Sequence, residues 1–364
     1  VQDRNAPDRF ALIDGMRGFA ALAILLFHYK NFGNAGVDVL ACADCARFEP
    51  GRSWLSPLYD YGYLAVQLFW VISGFVFASA YLGRDVSARE FWVNRFARLY
   101  PLHLLTLLVV TALQFTALAR LNTTLLFGGF DLPHFLLQLG FASNWLDAGF
   151  HTFNGPIWSV SVEVLVYGLF WLGRNRLAGL GPVGFLLVLM GCLATVGLAP
   201  KSQVQACAFF FFAGVAAARL NDHLAGHPGK RGPLLAVWLA ALAAMLFAPS
   251  VPLRYAASVV GIGGMLVLLA GIEPWAGTRL RRAAVWIGDC TYGLYLWHIP
   301  MQLVLLVVLL PGQGMVDLAR QGWFLALWLI AMVAIARLSF LWIERPARLY
   351  LRRKWASPPL PVPA

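Results

Sequence analysis

Residues 16–29 read MRGFAALAILLFHY, an apolar run of membrane-helix character with an arginine near one end and a histidine near the other. At about 100° and 1.5 Å per residue, an α-helix would set Arg17 and His28 only ~20° apart around its axis and ~16 Å apart along it. They share one face at two depths. An ionisable side chain costs at least ~2.5 kcal/mol at the centre of a membrane span on insertion scales, so two on one face mark a functional position by default.

The whole chain supports a membrane reading. Of its 364 residues, 60% are hydrophobic and 12% are charged, and the mean hydropathy of +0.69 lies far above that of a soluble domain of this size. Apolar runs long enough to cross about 30 Å of hydrocarbon as helices recur throughout, whereas the ~10-residue alternation of a transmembrane barrel is missing. The pattern predicts an all-α polytopic membrane protein with ten spans: Ala11 to Phe32, Tyr61 to Leu82, Leu99 to Leu118, Ile157 to Gly173, Gly181 to Leu198, Val204 to Arg219, Pro233 to Ala248, Tyr255 to Ile272, Val285 to Leu310 and Trp323 to Ile343. A short tail at residues 1–9 precedes a membrane domain at 10–346, and a basic, then Pro-rich tail follows at 347–364, with SPPLPVPA expected to be disordered. Arg17 interrupts the first apolar run and no small-residue cleavage site is evident, so that span is expected to remain in the protein.

The net charge of +11 could suggest a nucleic-acid partner, but its distribution decides otherwise. With ten spans and a cytoplasmic N-terminus, most basic residues fall inside, from Arg4 and Arg9 to Arg352, Arg353 and Lys354. Outside segments hold only Lys30, Arg47, Arg52, Arg120, Lys201, Arg254 and Arg320. This is the positive-inside bias, and it places both termini in the cytoplasm. The basic character reports orientation, and no nucleic-acid partner is expected.

Cys192, Cys207 and Cys290 fall in spans and read as small buried hydrophobes. Cys42 and Cys45 form C-x-x-C in the first outside loop, where a structural disulfide is the preferred reading, ahead of free thiols and redox catalysis. A metal site would want a second pair of ligands nearby, and none is visible in the sequence. The outside segments at about Gly33 to Asp60 and Ala119 to Pro156 are long enough to shape a binding surface.

The remaining polar residues within spans form patterns. In NGPIWSVSVEVLVYGLF, Asn154 and Pro156 make a helix start, and Ser159, Glu163 and Tyr167 then repeat at every fourth residue as a polar stripe. Glu163 would lie about 9 Å below the outer surface, level with His28. A histidine and a carboxylate at one depth are the parts of a general base and its orienting partner, or else an interhelical hydrogen bond that glues the bundle. Arg95 and Arg98 in NRFARLYP project from neighbouring positions on a helix, as phosphate-binding forks or as positive-inside anchors. The stretch GRDVSAREFWVNRFARLYP reads as an interfacial helix feeding the third span. Arg337, with Glu344 seven residues on, reads as structural. Tyr292, Tyr295 and His298 stand at three-residue steps, lining a cavity or packing in the core. The GIGG at Gly261 to Gly264 reads as close helix packing. P-loop, G-x-S-x-G and H-E-x-x-H patterns do not occur.

Taken together, the motifs resemble the ten-helix bacterial membrane acyltransferases called acyltransferase family 3, which O-acylate extracytoplasmic glycans. DGMRGFAALAILLFHY matches the family's arginine-x10-histidine motif, and FWVISGFVFA, RFARLYP, WSVSVEVLVYGLF, YGLYLWHIP and IERP follow in the family's order, from about Phe10 to Arg348. The resemblance implies an acyl-coenzyme A donor, acetyl by expectation, taken from the cytoplasm as a substrate, with no tightly bound cofactor. It implies a sugar hydroxyl of an extracytoplasmic or lipid-linked glycan as acceptor, with membrane lipids around the bundle in the bacterial inner membrane. It makes His28 the catalytic residue and Arg17 its motif partner, links Arg95 and Arg98 to donor binding, and matches Glu163 and Tyr167 to a fourth-span motif.

One departure stands out: many members read E-E-Q-F-Y where this chain has EVLVY. The chain thereby looks more like the branch acting on exopolysaccharides and lipo-oligosaccharides than the peptidoglycan branch. Without the extra helix and hydrolase-like domain that some members carry, a two-step relay in one polypeptide is not expected. The chemistry anticipated is proton removal from the hydroxyl by His28, with Glu163 orienting it, as the oxygen attacks the thioester; an acyl-histidine intermediate is the other route. A transporter of a polar solute or lipid-linked sugar is the competing reading, although the inverted repeats common in transporters are not visible.

Overall fold

The computed structural model describes residues 10–33, 49–145, 152–198, 202–226, 231–247, 251–309 and 313–355. Helix α1 (Ala11–Phe27) has no side-chain cap of its own. Instead the Glu273 carboxylate accepts hydrogen bonds from the backbone N–H groups of Ala11 (3.1 Å) and Leu12 (2.9 Å), so a residue from far along the chain satisfies the helix start. At its other end the α-helix stops sooner than expected, tightening at His28 into a 3-10 turn (His28–Phe32).

Next come α2 (Arg52–Tyr61), α3 (Ala65–Tyr81) and α4 (Ala88–Leu121), the last capped by Ser87, whose hydroxyl accepts from Glu90 N–H at 3.1 Å. The expected interfacial helix and third span are thus one 34-residue helix that continues through Pro101. A short α5 (Leu132–Leu139) leads to α6 (Ile157–Ala178), α7 (Pro182–Leu198), α8 (Gln203–Ala225), α9 (Arg231–Phe247) and α10 (Val251–Ile272). Then α11 (Thr278–Leu303) runs into a π turn at Val304–Leu309. The chain closes with α12 (Gln313–Ala319), α13 (Gly322–Ser339), a π turn at Phe340–Glu344 and α14 (Arg345–Trp355).

This is an all-α polytopic membrane protein. Among the described residues, eight helices are long and apolar enough to cross a membrane, and Pro182–Leu198 and Gly232–Ala244 are shorter apolar helices. Eight of the ten expected spans overlap the membrane-length helices, and the expected spans at Gly181 to Leu198 and Pro233 to Ala248 overlap the two shorter ones. The helices α2, α5 and α12 were not anticipated, because short amphipathic segments inside polar loops carry too few turns for a periodic signal. The basic stretch that opens the tail at 347 is helical to Trp355 and packs on α4. Cys42 and Cys45 lie outside the described residues; Cys192, Cys207 and Cys290 are free thiols.

Two helix pairs make the most extensive contacts, α1 with α11 and α3 with α8. In the second pair, Gly74 and Gly214 let the backbones touch: a Cβ at Gly74 would fall inside the Phe211 carbonyl oxygen, and one at Gly214 inside the Val71 carbonyl oxygen. Gly74→Ala is therefore expected to force the two helices apart and destabilise the fold by about 1–3 kcal/mol or more, read as a lower melting temperature in detergent. The α1–α11 seam is nearly as close: a Cβ at Gly288 would come within 2.7 Å of Asp14 Cβ and of the Asp14 carbonyl oxygen. Tight approach there brings the Arg17–His28 face of α1 against the polar residues of α11. Within GIGG, a Cβ at Gly264 would meet Trp238 of α9 at 3.3 Å and one at Gly263 would meet Ala217 of α8 at 3.6 Å, in keeping with a packing role.

Candidate active site

The polar stripe of α6 is held in place from its first turn. Asn154, fully buried, donates from Nδ2 to Thr106 Oγ1 of α4 and to the Leu296 carbonyl of α11, each at 3.1 Å. Ser159, Glu163 and Tyr167 then all face a cavity of ≈ 80 Å³, into which α1 brings Arg17, α4 brings Arg95 and Arg98, and α11 brings Tyr292 and Tyr295. Glu163 is buried, with the hydroxyls of Ser73 and Tyr167 beside it and Arg17 and Arg98 as its cationic neighbours. Its Oε1 has no hydrogen-bond partner, and the same holds for Arg95 Nε. Orphaned polar atoms this deeply buried cost roughly 1–3 kcal/mol each, which points to a group that arrives later.

A second cavity, ≈ 590 Å³, shares Arg17, Arg98 and Tyr292 with the first and opens beyond them. It adds Arg337, Arg345 and Arg348, against the carboxylates Asp14, Asp289 and Glu344. Asp14 pairs with Arg17 at 3.3 Å and Asp289 with Arg337 at 3.6 Å. Arg337 thus takes Asp289 on α11 as its ionic partner, while the Glu344 carboxylate accepts from Ser339 at 3.5 Å. Arg98 has Arg17, Arg95 and Arg348 as like-charged neighbours. Cations gathered this way, with fewer carboxylates than guanidinium groups, form a receptor for a polyanion.

The sequence pointed to Arg95 and Arg98 as a pair, and the tertiary structure divides them. Arg98 lines both cavities, but Arg95 lines only the smaller one, its guanidinium 4.7 Å from the Phe77 ring centre and donating to the Tyr81 hydroxyl at 3.3 Å. Arg345 and Arg348 are site residues that the sequence does not single out by helical spacing. A signal was present, since RPARLY at 345–350 repeats the spacing of RFARLY at 95–100.

His28 is grouped elsewhere. It is not among the lining residues of either cavity; its ring lies 5.0 Å from that of His298 and 5.1 Å from that of Phe27. Gln302, one turn beyond His298, donates to the His28 carbonyl at 2.8 Å and accepts from Asn31 at 2.7 Å. Tyr295 links the two regions: it lines the small cavity, shares a 2.7 Å hydrogen bond with Ser159 and packs with its ring 6.1 Å from His298. The expected partnership of His28 with Glu163 belongs with the proposal below; the contacts described for each are these. Glu163 has Arg17 and Arg98 as cationic neighbours, and α11 brings His298 and Gln302 to His28 across the α1–α11 seam, the most extensive contact that α1 makes. Among the described residues, no group of three or more His, Cys, Asp or Glu could hold a metal ion.

Comparison with known proteins matches this arrangement to a family. The family model described as an acyltransferase domain, acyltransferase 3, covers residues 10–343. Acyltransferase MdmB of Streptomyces mycarofaciens is 32% identical over 164 residues, 44% of this chain and 38% of that protein. The putative peptidoglycan O-acetyltransferase YrhL of Bacillus subtilis is 25% identical over 92% of this chain and 54% of its own length. Peptidoglycan O-acetyltransferase OatA of Listeria monocytogenes is 24% identical over 92% of this chain and 55% of its own length. The chain thus spans about half the length, or less, of these relatives. No solved structure matches it. With Arg17, Arg98, Glu163 and Tyr295 of the first, third, fourth and ninth spans lining joined cavities and the family model running almost end to end, the chain belongs to the acyltransferase 3 family.

Proposed function

We propose that the protein is a bacterial inner-membrane O-acyltransferase that moves an acyl group, acetyl by expectation, from cytoplasmic acyl-coenzyme A to a sugar hydroxyl of an extracytoplasmic or lipid-linked glycan. The observation that carries this reading is the pair of joined cavities, an arginine-rich vestibule narrowing past Arg17 and Arg98 toward Glu163, Tyr167 and Tyr295. A donor with a phosphorylated nucleotide and a long neutral arm has the shape of that path. Its phosphates would meet Arg98, Arg345 and Arg348, and its arm would pass Arg17 toward the histidines.

In the transfer, the acceptor oxygen bonds to the thioester carbonyl carbon while its proton passes to the His28 imidazole. The carbon–sulfur bond then breaks, and the departing sulfur takes up the proton, leaving an ester and a free thiol. General-base assistance of this kind contributes about 10²–10⁴ in rate. Glu163 and Tyr167, placed among the arginines, are assigned to holding the thioester end of the donor.

Inside-out membrane vesicles supplied with acetyl-labelled coenzyme A and an enclosed glycan acceptor test the reading. Label covalently attached to the glycan is expected. Uptake of solute or lipid-linked sugar with no ester formed would replace this reading with that of a transporter. A burst of label on the protein in the absence of acceptor would instead indicate the acyl-histidine route.

A further inference from the structure

His298 is fully buried, and its Nδ1 lies 3.2 Å from the Leu294 carbonyl one turn back along α11. A carbonyl can only accept, so Nδ1 carries the proton of this contact and Nε2 is left as a bare acceptor. That Nε2 has no hydrogen-bond partner. Leaving a buried acceptor unpaired costs free energy that a leucine or phenylalanine of similar size would not. The ring faces that of His28 with centres 5.0 Å apart and planes at 32°, a separation from which rotation of one imidazole brings nitrogen to nitrogen at hydrogen-bond length.

The next turn of α11 acts on the same residue. Gln302, also fully buried, donates to the His28 carbonyl, and Asn31 donates to the Gln302 amide oxygen. Gln302 and His298 are four residues apart and so lie on one face of the helix. One holds the backbone of His28 and the other stands against its ring. Resting on the proposal that His28 is the base, we infer that His298 is a positioning residue: its Nε2 accepts a hydrogen bond from the His28 ring N–H and thereby turns the other His28 nitrogen toward the acceptor hydroxyl.

This arrangement gives His28 an orienting partner on α11. A neutral imidazole suits the place, since a buried carboxylate would carry a desolvation cost of several kcal/mol. When His28 takes the hydroxyl proton, the resulting imidazolium keeps its second N–H directed at His298 Nε2, which spreads the new charge without a further proton transfer.

The test uses the full chain purified in detergent, with acetyl-coenzyme A and a soluble sugar acceptor. His298→Phe, which fills the space but offers no acceptor, is expected to lower kcat by about 10²-fold while KM for acetyl-coenzyme A stays within about twofold. His298→Gln, whose amide oxygen can accept from nearly the same place, is expected to recover about tenfold of that loss. A purely structural role would lower yield and melting temperature without separating kcat from KM. Should His298→Phe fail to fold, His298→Gln decides the matter against His298→Leu. Equal activity in folded Gln and apolar variants would overturn the inference, as would a folded His298→Phe with wild-type kcat. His28→Ala in parallel separates the two proposals: if it retains full activity, the assignment of His28 fails; if it is inactive while His298→Phe is not, only the role of His298 fails.

Discussion

His28→Ala is expected to reduce acyl transfer by about 10²–10⁴-fold with little change in KM for acyl-coenzyme A, measured as ester formed on the acceptor per unit of folded protein. The split follows from where the residue sits. His28 lines neither cavity, so its removal takes no contact away from the vestibule that would hold the donor. Its backbone stays anchored through the carbonyl that Gln302 bonds, and alanine keeps that carbonyl, so the 3-10 turn should survive. A large rise in KM with kcat unchanged would place His28 in donor binding and reverse the assignment.

Arg98→Gln is expected to move affinity and stability in opposite senses. Arg98 lines both cavities and has three arginines as like-charged neighbours, so replacing it relieves repulsion in the empty protein. The melting temperature should then hold or rise. A phosphorylated donor loses one charge-assisted contact of about 1.5–3 kcal/mol, so KM for acetyl-coenzyme A should increase on the order of 10–10²-fold. The same substitution at Arg95 should raise KM less, since that guanidinium is committed to Phe77 and Tyr81 and does not line the larger cavity. If the two variants showed identical KM, the division of the RFARLYP pair between two cavities would carry no functional weight. A fall in KM for Arg98→Gln would remove the vestibule from donor binding altogether.

Much of the arrangement was legible in one dimension because the bilayer simplifies it. Every backbone group in hydrocarbon must be satisfied within its own segment, so a long apolar run has one available structure, and each such run marks a helix. The stripe of Ser159, Glu163 and Tyr167 was legible for a related reason: helical periodicity fixes which residues of one helix share a face. The same logic placed Arg17 and His28 on one side of α1, and it holds as far as His28, whose N–H still bonds to the Ile24 carbonyl before the helix tightens.

Periodicity along one helix says nothing about which face of another helix it meets. Glu163 and His28 shared an inferred depth, yet the backbone contact made possible by Gly288 seats α1 on α11, and His28 meets His298 and Gln302 there. Arg345 and Arg348 join Arg98 only because α14 folds back along α4, a contact between segments far apart in the chain that the echo of RFARLY in RPARLY does not itself place. The sequence by itself determined the helices, their apolar character and the side on which each polar residue projects, since these follow from bonds and spacing within a segment. The partners of those residues were decided by tertiary structure alone, because small residues set how closely two helices approach, and that distance determines which side chains touch.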